Sequence, residues 1–204
     1  MQHIYFVRHG TTEWMELKKI QGISDIPLSA RGRKEAENTA KAFAEIELDA
    51  VYCSPLLRAY ETAAIICQSK DLQPQIIHDL RELNFGWMEG RRDFNFPQKN
   101  WGILRYMALL GRIFIVWISG EHFSQVKKRA QNSWRIINER SPRGTILIVA
   151  HGILLSFLIT GLLSPEQRKA TKRIYLQPCS ISEIVLNDDG SARIVRMNDI
   201  SHLN

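Results

Sequence analysis

A chain of 204 residues, 45% apolar and 24% charged, fits one large α/β domain with a substantial core, and no repeat, linker or low-complexity segment interrupts it. Its formal charge of +6 favours anionic partners, but the basic residues are spread along the chain and not interleaved with aromatics, which argues against a nucleic-acid surface. Cys53, Cys67 and Cys179 lack both an even count and metal-ligand spacing, and no apolar signal core precedes the first strand, so reduced thiols and a cytoplasmic location are expected.

The first predicted strand, Ile4 to Val7, is apolar, β-branched and aromatic, and too short for a helix. It delivers Arg8 and His9 side by side and stops at Gly10, which permits a sharp turn and close backbone approach to a ligand. Such a pair at a strand's carboxyl end suits phosphate: the guanidinium offers a planar fork to phosphoryl oxygens, and a neutral imidazole can attack phosphorus. A loop from Trp14 to Leu28 carries Gln21-Gly22, and Ser29 caps a helix predicted from about Ala30 to Glu45. Ala50 to Cys53 reads as the second strand. Ser54-Pro55 then predicts a helix start, with Ser54 as the capping hydroxyl and Pro55 at the first helical position. Arg58 falls in that first turn, near unpaired amides and the positive end of the dipole, where a cation is unfavourable unless an anion neutralises it. This reads Arg58 as ligand-facing, with Thr62 on the same face.

Gln75 to Ile77 is a short predicted strand, followed by a loop that carries Glu82. Between Arg91 and Ser119, Ile103, Met107, Leu110, Phe114 and Trp117 recur on one helical face, with Arg105 and Arg112 on another. Charges interrupt this run too often for it to span a bilayer, and no membrane association is expected. Packing on the core, a lid over the site, and contact with a second subunit all remain open for it, and with the last a homodimer. Glu121 to Arg140 reads as a helix, and Thr145 to Ala150 as a central strand buried on both faces. That strand ends at His151-Gly152 before an apolar helix from Ile153 to Leu163, a second anion-ready junction. Ile181 to Leu186 and Ala192 to Met197 form a closing hairpin around Asp188-Asp189-Gly190. His122 and His202 read as structural or surface residues. The alternation of strands and helices implies a three-layer α/β sandwich with a mostly parallel sheet, its site beyond the strands' carboxyl ends.

Arg8-His9-Gly10, the segment around Arg58, the segment Leu80 to Gly90 and Val149-Ala150-His151-Gly152, in this order, resemble the histidine phosphatase superfamily, the phosphoglycerate-mutase-like enzymes. The likeness runs nearly end to end within a single domain, 1–204, and is weakest over about 91–119, where the family inserts a variable helical cap. It implies attack by His9 on phosphorus, with Arg8, Arg58 and His151 holding the equatorial oxygens. It implies Glu82, four residues before Gly86, as the acid that protonates the leaving group and then takes a proton from water; Glu89, the competing choice, sits in a structural turn. Gly10, Thr11, Gln21, Gly22 and Gly152 are implied around the phosphate. Met15 stands where family members often have Asn, so one phosphate donor is missing or is supplied from elsewhere. No metal and no cofactor are expected, because cationic side chains occupy the electrostatic role. The expected partner is a small phosphorylated substrate, hydrolysed through a phosphohistidine. A cofactor-primed phosphoglycerate mutase, an α-ribazole phosphatase and a non-catalytic phosphate-binding module are the alternatives, and the compact length favours a phosphatase.

Overall fold

The protein is described by a computed structural model over residues 1–92, 120–171 and 174–203. Strand β1 (Gln2–Arg8) alternates its apolar side chains between two buried faces, Ile4 and Phe6 on one and Tyr5 and Val7 on the other. One helical turn, α1 (Glu13–Glu16), follows, with the Thr12 side chain accepting from the Met15 amide. Helix α2 (Ala30–Ala42) starts at Ser29, whose hydroxyl accepts from the Gly32 amide. It ends short of the expected Glu45, because Phe43 turns into the core and its amide is shared between the carbonyls of Thr39 and Ala40.

Next come β2 (Ala50–Cys53), α3 (Leu57–Cys67) and the short β3 (Gln75–Ile76). Beyond residue 119 lie α4 (Phe123–Arg140), β4 (Gly144–Ala150), α5 (Gly152–Leu162), α6 (Pro165–Ala170), β5 (Ile181–Leu186) and β6 (Ala192–Asp199). The expected cap, with Ile103, Arg105, Met107, Leu110, Arg112, Phe114 and Trp117, lies from residue 93 onward outside the described residues.

The strands form one sheet in the order β3-β2-β4-β1-β5-β6. The pairings β3–β2, β2–β4 and β4–β1 are parallel, while β5 and β6 close the sheet as an antiparallel hairpin. One face is covered by α4 and α5, whose Val126, Ala130, Ile137, Leu154 and Leu158 pack on Ile4, Phe6, Ile146 and Ile148. The other is covered by α2, its capping Phe43 and α3, with Phe43, Ala59, Ala63 and Ile66 against Tyr5, Val7, Leu147 and Val149. The result is the three-layer α/β sandwich, and each of these fully buried Ile, Leu or Phe side chains contributes ~1.5–3 kcal/mol relative to an exposed one. Leaving β1 the chain passes over one face to α2, and leaving β4 it passes over the other to α5. The carboxyl ends of these neighbouring strands therefore flank the crevice where open α/β sheets hold their ligands.

Two Ser-Pro pairs behave oppositely. Ser164 caps α6, accepting from the Gln167 amide with Pro165 at the helix start, a short helix that sequence reading passed over. Ser54 does not cap α3, which starts only at Leu57; its hydroxyl is bonded elsewhere, as described below.

Candidate active site

The ends of β1 and β4 are stitched together by the His9 amide, which donates to the Ala150 carbonyl at 3.0 Å. This brings the imidazoles of His9 and His151 to 5.1 Å between ring centroids, tilted by 57°. His9 Nδ1 lies 2.8 Å from the Gly10 carbonyl. A carbonyl only accepts, so Nδ1 carries the hydrogen and Nε2 keeps its lone pair. Burial first, then Arg58 and then Arg8, hold the His9 pKa well below the ordinary histidine value. The adjacent Arg8 guanidinium is thus the third contributor; desolvation leads.

Arg58 is fully buried on α3, and its guanidinium donates to the carbonyls of Ser24 at 2.8 Å and Gly22 at 2.6 Å. The Gln21 side-chain oxygen faces it too, 3.3 Å from both Nη1 and Nε, while the Gln21 amide donates to Thr12. Burial lowers the Arg58 pKa to about 10, against the pull of Glu82, Asp25 and Glu89, so it stays charged at neutral pH. Arg8 donates from Nη1 to the Leu176 carbonyl at 2.6 Å, and its Nη2 lies 3.9 Å from the Met15 sulfur. Met15 therefore meets Arg8 with a thioether, a weak acceptor, where an amide side chain would bring donors. The Arg8 guanidinium also lies over Gly152: a Cβ there would stand 3.6 Å from Nε. Arg8 Nε and His151 Nδ1 are buried and make no hydrogen bond among the described residues.

Glu82 leaves its loop for the start of α5. One carboxyl oxygen accepts from the amides of Leu83 at 2.9 Å and Leu154 at 3.3 Å, and the other from Ile153 at 3.2 Å. Burial raises its pKa, against the pull of the Leu83 and Ile153 amides and of the two guanidiniums. Glu89 is employed differently. Its carboxylate accepts from the amides of Ile23, Ser24 and Phe85 and from the Ser24 hydroxyl, closing the loops on either side.

The other expected phosphate neighbours face the protein. Both the amide and the hydroxyl of Thr11 donate to Glu35, at 2.9 and 3.0 Å. The Gly10 amide donates to the Thr62 hydroxyl at 3.2 Å, and a Cβ on Gly10 would lie 2.6 Å from the Gly32 carbonyl oxygen. The close approach seen at Gly10 is to α2. Gly22 passes so near the Glu89 carboxylate that a Cβ would overlap it.

Two contributors escaped sequence reading. Ser54 lies 2.8 Å from His151 Nε2. Arg129, on α4, donates to the carbonyls of Asp79, Arg81 and Glu82 while paired with Glu121. Neither carries a local signal, since both partners lie far along the chain. Among the described residues no group of three or more His, Cys, Asp or Glu could hold a metal ion, and no helix is long and apolar enough to cross a membrane.

The family described as "Histidine phosphatase superfamily (branch 1)" matches residues 4–200. A probable phosphoglycerate mutase GpmB of Shigella boydii serotype 18 is 31% identical over 209 aligned positions, which span 100% of this chain and 95% of the relative. Among solved structures, Bacillus stearothermophilus YhfR superposes with a TM-score of 0.82 at 27% identity, covering 100% of both chains. A putative alpha-ribazole-5'-P phosphatase from Escherichia coli K-12 gives 0.79 at 27% identity, covering 98% of this chain and 97% of that one.

Proposed function

This chain belongs to the histidine phosphatase superfamily (branch 1), and from that premise we propose that it hydrolyses small phosphomonoesters through a phosphohistidine formed on His9. The observation that carries the proposal is the hydrogen bond from His9 Nδ1 to Gly10, which leaves a neutral Nε2 as lone-pair donor within the field of two guanidiniums. In this reading Nε2 attacks phosphorus in line, the N–P bond forms and the ester P–O bond breaks. Arg8, Arg58 and His151 offset the charge on the equatorial oxygens. Glu82 protonates the departing alkoxide. Because one of its oxygens already accepts from both Leu83 and Leu154, the proton sits on the oxygen that faces Ile153 alone. The ionised carboxylate then takes a proton from the water that attacks the phosphohistidine. In this reading Gln21 and Gly22 hold the Arg58 guanidinium, Gly152 lies beneath that of Arg8, and Gly10 and Thr11 fix the turn after His9 beside the bound phosphate. The proposal takes residues 1–204 as one domain that acts in the cytoplasm on a small phosphorylated substrate.

Quenching the reaction with phosphate-labelled substrate tests this. Acid-labile, alkali-stable label is expected on the wild type and none on His9→Ala; equal labelling of both would overturn the assignment. A second reading, return of the phosphoryl group to another hydroxyl, is favoured by the 31% identity with a probable phosphoglycerate mutase. Phosphate release from a panel that includes α-ribazole 5'-phosphate and 3-phosphoglycerate, beside a mutase assay primed with bisphosphoglycerate, separates the two.

A further inference from the structure

Ser54 lies at the end of β2, fully buried, with its hydroxyl 2.8 Å from His151 Nε2. The same oxygen accepts from the Leu56 amide at 3.3 Å. A hydroxyl has one hydrogen to give, and among the described residues the only acceptor within reach of this one is Nε2. Were Nε2 protonated instead, Ser54 would face two donors and its own hydrogen would be buried without an acceptor. His151 Nδ1 would then be a bare lone pair, sealed from solvent and without a partner, at a place where an oxyanion is to bind. The opposite arrangement satisfies every atom once an anion arrives: Ser54 O–H donates to Nε2, and Nδ1–H is left free to donate.

We propose that Ser54 is a positioning residue that fixes His151 in its Nδ1–H tautomer, so that His151 meets the transferring phosphoryl group as a neutral hydrogen-bond donor. The assignment rests on the reading of this site as a phosphoryl-transfer centre. The second unpaired nitrogen, Arg8 Nε, belongs to the guanidinium that lies over Gly152, the residue after His151, so the two free N–H groups come from adjoining positions. The burial and the neighbouring guanidiniums that depress the His151 pKa keep the ring uncharged while it does so. Positive charge in the site then comes from Arg8 and Arg58, and the histidine supplies direction.

Nitrogen-15 NMR of imidazole-labelled wild-type protein reads the tautomer directly, without substrate and without a variant that must fold. Nδ1 protonated and Nε2 unprotonated at neutral pH is the expected result; protonation at Nε2 overturns the proposal whatever the activity. Ser54→Ala should shift His151 toward the other tautomer, weaken orthovanadate binding and lower kcat about 10- to 100-fold, the usual scale for losing a partner that orients a functional histidine. Ser54→Thr keeps the hydroxyl and should keep the tautomer and most of kcat. Unchanged ring signals and unchanged vanadate affinity in a folded Ser54→Ala protein would overturn it equally. If no phosphoenzyme forms on His9 while His151 carries Nδ1–H, the reading of the site fails and the tautomer assignment stands.

Discussion

Glu82 caps the helix that begins after His151, its carboxyl accepting from the Ile153 amide at 3.2 Å. The group that the start of α5 attracts is therefore the protein's own carboxyl, the proposed acid. Leu83 and Leu154 fix the other oxygen, so the group has one orientation and one place to carry a proton.

Replacing Glu82 by Gln keeps the shape and removes the acid. Esters with poor leaving groups should slow by ~100- to 10,000-fold, the usual worth of general acid–base help. An aryl ester such as p-nitrophenyl phosphate, whose leaving group departs with little protonation, should lose far less in its first step. Single-turnover rates for one alkyl and one aryl ester decide this, and equal small losses would remove Glu82 from the acid's role.

The pH profile should carry the signs of the two shifts. In the proposed mechanism activity needs His9 neutral and Glu82 protonated. The acid limb of kcat/KM belongs to His9 and falls below the ordinary histidine value of 6.5; the alkaline limb belongs to Glu82 and falls above the ordinary 4.5. Glu82→Gln should abolish the alkaline limb alone. Stability follows the histidines differently. Below 6.5 the unfolded chain binds protons at His9, His151 and His202 that the folded chain refuses. Lowering the pH through that window therefore destabilises the fold, while Glu82 opposes this trend above 4.5 because its folded form keeps a proton that the unfolded chain releases. Melting temperatures should fall from about pH 7 to about pH 5, three groups outweighing one.

Arg129→Met should act through Glu82. It leaves Glu121 without its partner and frees the carbonyls of Asp79, Arg81 and Glu82, costing ~1–3 kcal/mol in melting experiments. The loss of rate should again be larger for the alkyl ester than for the aryl one. Equal losses would make Arg129 a scaffold residue only.

At Gly32 a Cβ would overlap the Thr11 carbonyl oxygen, which is backbone and has nowhere to yield. Gly32→Ala should therefore cost ~1–3 kcal/mol and lower kcat as well, because the strain falls on the segment that follows His9. Gly161→Ala is the control: nothing lies within 4 Å of its Cβ, and it should be neutral or stabilising by up to about 1 kcal/mol.

Strands β1, β4 and the hairpin were legible because their apolar runs are strong and local; His9, Arg58 and His151 stood out at element ends, and Glu82 only through the family resemblance. What could not be read is where side chains turn for distant partners. Ser54 and Ser164 both precede a proline, yet only the second caps a helix, since the first is claimed by His151. Thr11 looks free for a ligand until α2 presents Glu35 to it. Arg129 follows the exposed Lys127 and Lys128 in sequence, yet it lies beside the buried Val126 and Ala130 of α4 and turns to the carbonyls of Asp79, Arg81 and Glu82. Each of these depends on a contact across the fold, and local pattern holds no record of it.

The place of β1 between β4 and β5 bears on how the molecule is made. Among the described residues β1 pairs only with strands that begin at Gly144 and Ile181, so it waits, apolar on both faces, until those much later strands have been made. Such long-range closure slows folding and exposes the early chain to aggregation. His9, the proposed nucleophile, is made before β4, and a chain halted ahead of that strand would hold His9, Arg58 and Glu82 without His151. On the proposed mechanism, catalytic competence waits for β4 and the His151 that follows it.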